Sequence, residues 1–529
     1  MSSAVSHPGK APARRMPQSG AEAALHIVVA LLLIGAAVSG FAVSTVFGAV
    51  ASLVLTLCVA TALPAAMPVV IVCAFLFQNM IVAWFTPYIP DNNAFDALRG
   101  ANFVVLMTAY AAFLAASLQV RLRAVTQARP WLLWGIALAG IITFYMLLGA
   151  VRGGPKDSII YFRNTITPLA CFHIGIVAAS LYRIDLRKSL LWLGASAIVY
   201  GYCELIFTMD FLGLFNGDLY IQRAIRRQIE TGVWEKALQQ TGFVLRGLQD
   251  VMTTTFFNTP LFADLFPPVF RIGGPNFHPI SYAYALGILS VWLLFKGRWL
   301  LPLAALPLLL VIGSKGAMFM VVVALAVRLL QGPLGMRLTL LGVLAVAAAW
   351  IIAAIGYGAT HGDYHVLGLI AGLRGFLGNP LGQGLGIGGN LSSTSFNLDW
   401  DRAQAQGVAS VPVESAVGVM LYQMGVGSIV FFGFLAALVA SARRLLLKTG
   451  NAEFLFAFVA IVTISTNAVL QEEAFYSPLA LGFCLLLVGT AFGTYWREES
   501  LVARSAAASR TIPQGHAALR AGSAKGVRP

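Results

Sequence analysis

One polar stretch of the sequence, residues 358–412, carries an arginine and a glycine-rich segment, and a carboxylate follows just beyond its end. Arg374 comes first, the segment GNPLGQGLGIGGN occupies residues 378–390, and Glu414 stands where the next apolar run begins. Arginine holds phosphate and carboxylate groups through paired hydrogen bonds, and a carboxylate can accept the proton of a hydroxyl group. Together these residues could form a site that binds an anionic substrate and activates a nucleophile.

Further polar residues border other apolar runs. The segment RIGGPNFHPIS places Arg271, Asn276 and His278 just before a long apolar run, where the positive end of a helix dipole favours anions. Lys315 lies in the turn GSKG between two short apolar segments, and Arg163 follows two aromatic residues near the start of another run. Ionisable groups in such places are typical of functional sites in membrane proteins. These five residues are the predicted substrate contacts.

Each of these residues also has a purely structural interpretation. His278 can be an ordinary residue of the membrane interface, and Lys315 can extend its long side chain to the surface. Glu414 follows Val-Pro-Val and is expected in the first turn of a helix, where the dipole stabilises a carboxylate by about 0.3–1 kcal/mol without any catalytic role. The remaining acids considered are expected to be solvated or paired with the cations: Glu204, Asp210, Asp363, Asp399, Asp401, Glu472 and Glu473.

The elements that position these residues are long apolar segments. The chain is 58% hydrophobic and only 11% charged, with a mean hydropathy of +0.80. Because apolar runs of about 18 or more residues can cross a bilayer as helices, we predict an all-α, polytopic membrane helix bundle with about 12–14 transmembrane helices. The fourteen predicted spans are residues 24–42, 45–63, 66–86, 101–120, 131–150, 164–182, 189–208, 278–295, 299–313, 317–331, 338–357, 414–441, 453–470 and 474–494.

The distribution of charge predicts the orientation of these helices. With both termini in the cytoplasm, the inner segments hold 22 of the 35 Lys and Arg residues but only five of the 21 acids, which is the positive-inside pattern. The large loops then face the periplasm of a bacterial inner membrane. The predicted divisions are a disordered tail 1–22, membrane helices 23–208, a periplasmic loop 209–277, membrane helices 278–357, a periplasmic glycine-rich loop 358–413, membrane helices 414–496 and a disordered basic tail 497–529.

The first large loop contains an amphipathic pattern. Ile221, Ile225, Ile229, Val233 and Leu238 recur at helical spacing, and arginine and lysine residues occupy the rest of the wheel. Such a basic amphipathic helix either rests on lipid headgroups or forms a lid over a lipid-linked anionic substrate. Membrane lipids are therefore predicted partners in either case.

Several other functions find no support in the sequence. The five cysteines all fall in apolar runs without metal or redox spacing, and no metal-binding or cofactor-binding motif is present. The segment GLGIGG lacks the preceding strand and the following acid of a dinucleotide loop. The net charge of +14 reflects membrane topology, and no basic patch with interleaved aromatic residues indicates nucleic acid.

The order of the outward-facing motifs resembles that of bacterial O-antigen ligases and of O-antigen or exopolysaccharide polymerases. RIGGPNFHPISYAYALGILS is similar to their G-x-PN segment at the start of a central span, and SKGAMF is similar to their S-R-G-A turn. LRGFLGNPLGQGLGIGGN resembles their outer-loop arginine followed by P-L-x-G-x-G, and PVESAVGVMLYQMGVGSIVFF resembles the next span entry. The resemblance covers about residues 270–435.

The resemblance implies glycosyltransferase chemistry of the C type. The donor would be a glycan on undecaprenyl diphosphate, outward-facing cations would hold the diphosphate, and a base would deprotonate the acceptor hydroxyl, with inversion at the anomeric carbon and without a metal. By position, Arg374 matches the loop arginine, Lys315 the turn arginine and Glu414 a histidine base. Arg374 and Glu414 are thus the predicted catalytic residues, and no cofactor is expected.

The sequence departs from the family pattern at two positions, and the first departure favours a polymerase over a ligase. Glu414 stands where ligases carry histidine, and Lys315 replaces an arginine, giving up bidentate pairing with phosphate. The predicted function is polymerisation or ligation of undecaprenyl-diphosphate-linked repeats on the periplasmic face, with a flippase and a chain-length regulator as candidate partners. The alternatives are a transporter of a polysaccharide lipid or small solute, and a non-catalytic scaffold of a polysaccharide export complex.

Overall fold

A computed structural model describes residues 18–119, 123–230, 248–259, 264–393 and 398–510. These described residues are 82% helical and form an all-α bundle. The helices are α1 Gly20–Val43, α2 Thr45–Ala62, α3 Met67–Phe85, α4 Asn92–Arg99, α5 Ala101–Gln119, α6 Arg123–Gly153, α7 Pro155–Leu181, α8 Arg187–Gly213, α9 Gly217–Glu230, α10 Leu248–Val251, α11 Pro279–Phe295, α12 Leu300–Ile312, α13 Lys315–Leu330, α14 Gly335–His361, α15 Tyr364–Gly378, α16 Trp400–Gln406, α17 Ala416–Met424, α18 Val426–Thr449, α19 Ala452–Asn467, α20 Glu473–Tyr476 and α21 Phe483–Arg510.

Short irregular elements join the helices. Within the described ranges, two strands, β1 Thr253–Thr254 and β2 Val269–Phe270, pair antiparallel. A π-helical turn, Pro478–Gly482, leads directly into α21. Such turns often occur at functional sites, and this one lies beside the cavity described below. The 3₁₀ turns are Pro64–Ala66, Thr86–Tyr88 and Phe256–Asn258.

Ten helical stretches of the described chain are long and apolar enough to cross a membrane. Three apolar helices are shorter: Pro279–Phe295, Leu300–Ile312 and Ala452–Ala468. These three explain most of the difference from the 12–14 spans expected from the sequence, since about 20 residues are needed to cross the hydrocarbon core. The class of fold is therefore as predicted, whereas the number of complete spans is lower by this criterion.

Helices α7 and α21 form the centre of the bundle. They contact each other along most of their length, and both are almost entirely surrounded by protein. Glycines allow the close approach, because a Cβ on Gly489 would overlap the Phe172 carbonyl and a Cβ on Gly493 would overlap the Ile176 carbonyl. Small residues at helix crossings are the usual means of tight packing inside membranes. This pair is the rigid frame on which the outward-facing segments sit.

Two predicted boundaries differ from the structure, and a third prediction is confirmed in part. The predicted span 414–441 is two helices, α17 and α18, separated at Gly425, whose φ of +49° breaks the helix. The predicted disordered tail 497–529 begins as helix, because α21 continues to Arg510; residues 511–529 lie outside the described ranges. The amphipathic helix of the first large loop is confirmed as α9, and the part of the prediction that falls on residues 231–247 lies outside them.

Candidate functional site

A cavity of about 730 Å³ opens at one end of the bundle. Its walls come from α3, α4, α5, α7, α9, the segment before α11, the end of the glycine-rich loop, and residues 472–479. All of these wall segments are at helix ends that the charge pattern assigns to the same, outer side of the membrane. The cavity is therefore the place where segments distant in sequence meet and could act on one substrate.

One wall of the cavity is cationic. Arg99, Lys156 and Arg163 line it, with Asp96 as the acidic residue among them. The Lys156 Nζ lies 3.8 Å from an Asp96 carboxylate oxygen, and Arg99 lies 3.8 Å from the other. One carboxylate thus faces three cations, which leaves an excess of positive charge. We call Arg99, Lys156 and Arg163 the cationic wall.

Arg163 is the cation of this wall that the protein leaves most available. Its guanidinium makes no hydrogen bond or ion pair within the described part of the chain, and Arg99, of like charge, is its strongest charged neighbour. Arg99 is held differently, since it stacks 5.7 Å from the centre of the Tyr220 ring and 5.5 Å from that of Phe95. A half-buried, unpaired arginine beside a second arginine favours a ligand with more than one negative charge.

Local sequence explains why these cations converge. Asp91 caps α4 by accepting a hydrogen bond from the Ala94 N–H (2.8 Å), and α4 buries its apolar face through Phe95 and Leu98. That orientation leaves Asp96 and Arg99 free to face the cavity. Helix α7 starts after the left-handed Gly154 with a proline in its first turn, the usual way for a helix to begin sharply.

Helix α9 covers one side of the cavity. Tyr220, Ile221, Ala224 and Ile225 line it and fall on a single helical face, as positions separated by one, three or four residues do. The face opposite carries polar and basic residues such as Arg226, which is exposed. The structure thus favours the lid over the simple surface helix, because the apolar face of α9 contacts the cavity and not only lipid.

Two adjacent glutamates also line the cavity. Glu472 is 2% exposed; its carboxylate accepts hydrogen bonds from the Tyr161 hydroxyl (2.6 Å) and the Asn390 N–H (2.8 Å). Burial raises the pKa of Glu472 to about 8, against the lowering effect of those two donors. The neighbouring Glu473 also lines the cavity, and burial and the charge of Glu414 raise its pKa. Most of the acids outside the predicted site were expected to be solvated or paired with cations, and Glu472 is neither because the bundle buries it.

This raised pKa predicts how stability depends on pH. The folded protein holds the proton of Glu472 more tightly than the unfolded chain does, so its contribution is present at low pH and is lost as pH rises through about 8. Between pH 6.5 and 8.5 we expect the purified protein to lose roughly 2 kcal/mol of stability from this group. Glu472→Gln, which cannot ionise, should flatten the fall in melting temperature over that range. An unchanged slope in this variant would show that Glu472 is already ionised in the folded protein.

His278 sets the lowest pH at which the effect of Glu472 on stability can be measured by itself. The side chain lines the cavity, and desolvation there together with the charges of Arg271 and Arg99 lowers its pKa to about 4. A lowered histidine pKa makes stability fall as pH drops below about 6.5. This effect opposes that of Glu472 at acidic pH, which is why the slope is to be measured above pH 6.5.

The segment RIGGPNFHPIS is held by a buried carboxylate. Glu204, 0% exposed, accepts hydrogen bonds from the N–H groups of Gly273 and Gly274, both at 2.8 Å. The turn directs Asn276 into the cavity wall, where its Oδ1 is buried and makes no hydrogen bond within the described residues. Glu204 therefore positions the Asn276 segment. It was expected to be solvated or paired with a cation, and the structure shows neither.

His278 caps α11 at the cavity. Its Nδ1 accepts from the Ser281 N–H at 3.3 Å and lies 3.0 Å from the Ser281 hydroxyl. Because Nδ1 acts as the acceptor, the ring proton of the neutral imidazole belongs on Nε2. The prediction that His278 begins a membrane helix is confirmed, and the neutral ring offers the cavity a hydrogen-bond donor.

The glycine-rich segment is packed between helices. The Leu385 N–H donates to the Tyr145 carbonyl (2.9 Å), and the Ser158 hydroxyl donates to the Leu385 carbonyl (2.8 Å). Gly386 and Gly389 have φ of +88° and +89° and lie so close to α7 that a Cβ would overlap it. The segment, expected as a flexible loop, serves instead to hold Asn390 against Glu472.

The structure separates the predicted site residues into groups. Arg163, Asn276 and His278 line the cavity. Arg271 is half-buried beside it, where its Nε donates to the Ile312 carbonyl (3.0 Å), and lies within electrostatic range of Glu473 and His278. Lys315, which was expected in the turn GSKG, is instead the first residue of α13, and its side chain is exposed and outside the lining.

The two predicted catalytic residues do not line the cavity. Arg374 lies on α15, and its side chain is exposed. Glu414 precedes the Ser415 cap of α17 with a φ of +62°, so the expectation that it occupies the first helical turn is wrong. Its Oε2 lies 3.6 Å from the His365 Nδ1. Their catalytic roles remain predictions, and the geometry places Glu414 much closer to the cavity than Arg374.

Sequence reasoning did not select Arg99, Asp96, Lys156 or Glu473 as cavity residues. The segment NNAFDALR does carry a signal, namely an amphipathic helix with charges on one face and Asp91 as its cap. Nothing local in Glu472–Glu473 reveals burial, since two glutamates between apolar spans usually mark a solvated turn. Comparison of the chain with family models, with curated proteins and with solved structures finds no match.

Proposed function

We propose that this protein is a membrane glycosyltransferase that polymerises oligosaccharide repeats carried on a lipid diphosphate. The observation that carries the proposal is the cavity itself, whose lining brings together the cationic wall, the buried Glu472 and the half-buried Glu473. A transferase of this kind needs cations for a leaving diphosphate and a base for an incoming hydroxyl group. The lining of this one cavity offers both.

The cationic wall suits a diphosphate in particular. Arg99, Lys156 and Arg163 outnumber the single Asp96, and a ligand with two or more negative charges would balance them. Charge-assisted hydrogen bonds of this kind are roughly twice as strong as neutral ones. As negative charge grows on the leaving group, the same contacts strengthen, which is how such a wall would lower the barrier.

The apolar part of the cavity suits a lipid carrier. Ile159 lines the cavity beside Lys156 and is 56% exposed, and Leu391 on the same rim is 39% exposed. A rim with apolar groups next to a lysine fits an amphiphile whose chain stays in the bilayer while its headgroup enters the protein. The charge pattern puts this rim on the outer side, where a flippase would deliver the substrate and a chain-length regulator would limit the product.

The proposed reaction is a single displacement. An acidic side chain takes the proton of the acceptor hydroxyl, the oxygen forms a bond to the anomeric carbon, and the bond from that carbon to the phosphate oxygen breaks. The electron pair leaves with the diphosphate, whose charge the cationic wall receives. Attack opposite to the leaving group inverts the anomeric carbon, and no step requires a nucleotide.

The proposal is tested by glycan output in a deletion strain. Restoring the wild-type gene should restore polymer of native length, whereas the deletion alone should accumulate single repeats on the lipid carrier at the outer face. Polymer that forms on the carrier but fails to reach its final acceptor would instead identify a ligase. Normal polymer in the deletion strain would exclude both activities.

A transporter is the second candidate, and broken helices favour it. Thr208 interrupts α8 with φ +45° and ψ −118°, and Gly425 separates α17 from α18. Discontinuous helices are typical of transporter binding sites. The same strain distinguishes the two functions: a missing transporter would leave the lipid-linked repeats on the inner face of the membrane, where an external glycan-modifying enzyme cannot reach them.

A further inference from the structure

The two adjacent glutamates of the cavity differ in what they can do. We propose that Glu473 is the catalytic base and that Glu414 acts on the reaction only through its charge on Glu473; this inference rests on the proposed function. It replaces the sequence-based assignment of the base to Glu414. The argument depends on hydrogen bonding, on position relative to the cavity, and on the charges that face Glu473.

Glu472 is already occupied by the protein. One of its oxygens accepts from the Tyr161 hydroxyl and the other from the Asn390 N–H. Both donors belong to segments that build the cavity, so Glu472 connects α7 to the glycine-rich segment. A carboxylate with both oxygens engaged in this way has a positioning role, because taking a proton from a substrate would disturb the bonds that hold the walls.

Glu473, in contrast, has one carboxylate oxygen available to accept a proton from a substrate. It lines the cavity, and its Oε2 is buried and makes no hydrogen bond within the described part of the chain. A buried carboxylate oxygen without a hydrogen-bond partner destabilises the folded protein. An unsatisfied buried polar atom in a native protein needs an explanation, and a functional role is one. Here a substrate hydroxyl that enters the cavity would donate the missing hydrogen bond.

Two further polar atoms of the same walls also lack partners. Asn276 Oδ1 and the Tyr476 hydroxyl are buried, line the cavity and make no hydrogen bond within the described residues. Asn276 is 6% exposed and Tyr476 is 3% exposed. Together with Glu473 Oε2 they form a set of open hydrogen-bonding positions that would match a polyhydroxylated acceptor such as a sugar.

The position of Glu414 allows it to change the pKa of Glu473 but not to act as the base itself. It lies outside the cavity lining, its N–H donates to the Asn390 Oδ1 (3.2 Å), and its carboxylate faces His365. Burial raises the pKa of Glu473, Glu414 raises it further, and His365 and Arg271 lower it. The titratable and charged groups facing Glu473 are Glu414, His365, Arg271, Tyr284 and Glu472.

The proton balance follows directly. Ionised Glu473 takes the hydroxyl proton through Oε2 as the acceptor oxygen bonds to the anomeric carbon and the diphosphate leaves. The proton returns to water after product release, and Glu473 is ionised again. Activity must therefore fall on the acidic side, as Glu473 becomes protonated before the reaction.

The test compares variants in washed membranes of the deletion strain, which contain the accumulated lipid-linked repeats as the donor. Polymer formation is measured between pH 5 and 9 at matched protein levels. Glu473→Gln should lose about 100-fold or more of the rate at every pH. Glu414→Gln should stay active, with its acidic limb moved to lower pH by about half a unit or more, because a negative neighbour is removed.

The outcomes separate the two claims. An active wild type with an inactive Glu414→Gln and an active Glu473→Gln would overturn this inference and restore Glu414 as the base. An unshifted acidic limb in Glu414→Gln would also overturn it, and this readout does not depend on Glu473→Gln being folded. Wild-type membranes that form no polymer would overturn the proposed function and the inference with it.

Discussion

Replacement of Arg163 by alanine is expected to abolish polymer formation while the protein remains at normal levels in the membrane. Arg163 lines the cavity and makes no hydrogen bond or ion pair within the described chain, so its removal leaves no protein group unpaired. The substitution should weaken contacts with the substrate and leave the folding of the protein unaffected, since this guanidinium is the one most available to a diphosphate. Removing one preorganised donor to developing charge typically costs about 100–1,000-fold in rate.

The measurement is polymer length in the complemented deletion strain, with binding of undecaprenyl diphosphate to the purified protein as a second readout. Arg163→Lys should recover part of the activity, because lysine keeps the charge but loses the paired geometry. Arg374→Ala is the matched control. Arg374 is an exposed arginine on α15 outside the cavity lining, so this variant should lose far less activity than Arg163→Ala. The reverse order of effects would favour the sequence-based site and contradict the cavity.

Much of the bundle could be predicted because apolar runs and flanking charges act locally. The start of α11 after His278 agrees with the sequence, since a proline in the first turn and the capping His278 side chain fix it. Helix α13 starts two residues after Gly313, whose left-handed backbone ends α12. The break at Gly425 could not be predicted in the same way. A glycine inside an apolar run is tolerated in an unbroken helix, and only the close approach of Pro380 and Gly382 explains its unusual backbone.

Fewer residues of the candidate site than of the bundle could be predicted from the sequence. Arg163, Asn276 and His278 were found because each borders an apolar run, which is a local signal. Glu473 was missed because burial depends on how α20 sits between other helices, and Arg99 was missed because its role depends on the distant Tyr220. Arg374 shows the converse error. A lone arginine before a glycine-rich segment looked functional, but the orientation of α15 turns its side chain outward.

A substitution in the glycine-rich segment is expected to have the second large effect on stability and activity. Gly389→Ala should prevent the segment from reaching Glu472 and should lower both the amount of folded protein and its activity. Gly389 has a φ of +89°, and an added Cβ would overlap the Tyr161 hydroxyl and lie 3.1 Å from the Glu472 Oε1. The backbone strain alone costs about 1–2 kcal/mol, and separation of the segment would break the bonds from Tyr161 and Asn390 to Glu472. A total loss of roughly 3 kcal/mol or more follows.

Gly378→Ala is the control for that substitution, because it makes the same chemical change in the same loop region. Gly378 is the last residue of α15, and nothing lies within 4 Å of a Cβ added there. It should therefore melt within about 0.5 kcal/mol of the wild type, as surface substitutions usually do. Melting temperature in detergent and polymer length would be measured for both variants. Equal stability of the two would mean that the glycine-rich segment is not clamped against α7, and the positioning of Asn390 and Glu472 would need another explanation.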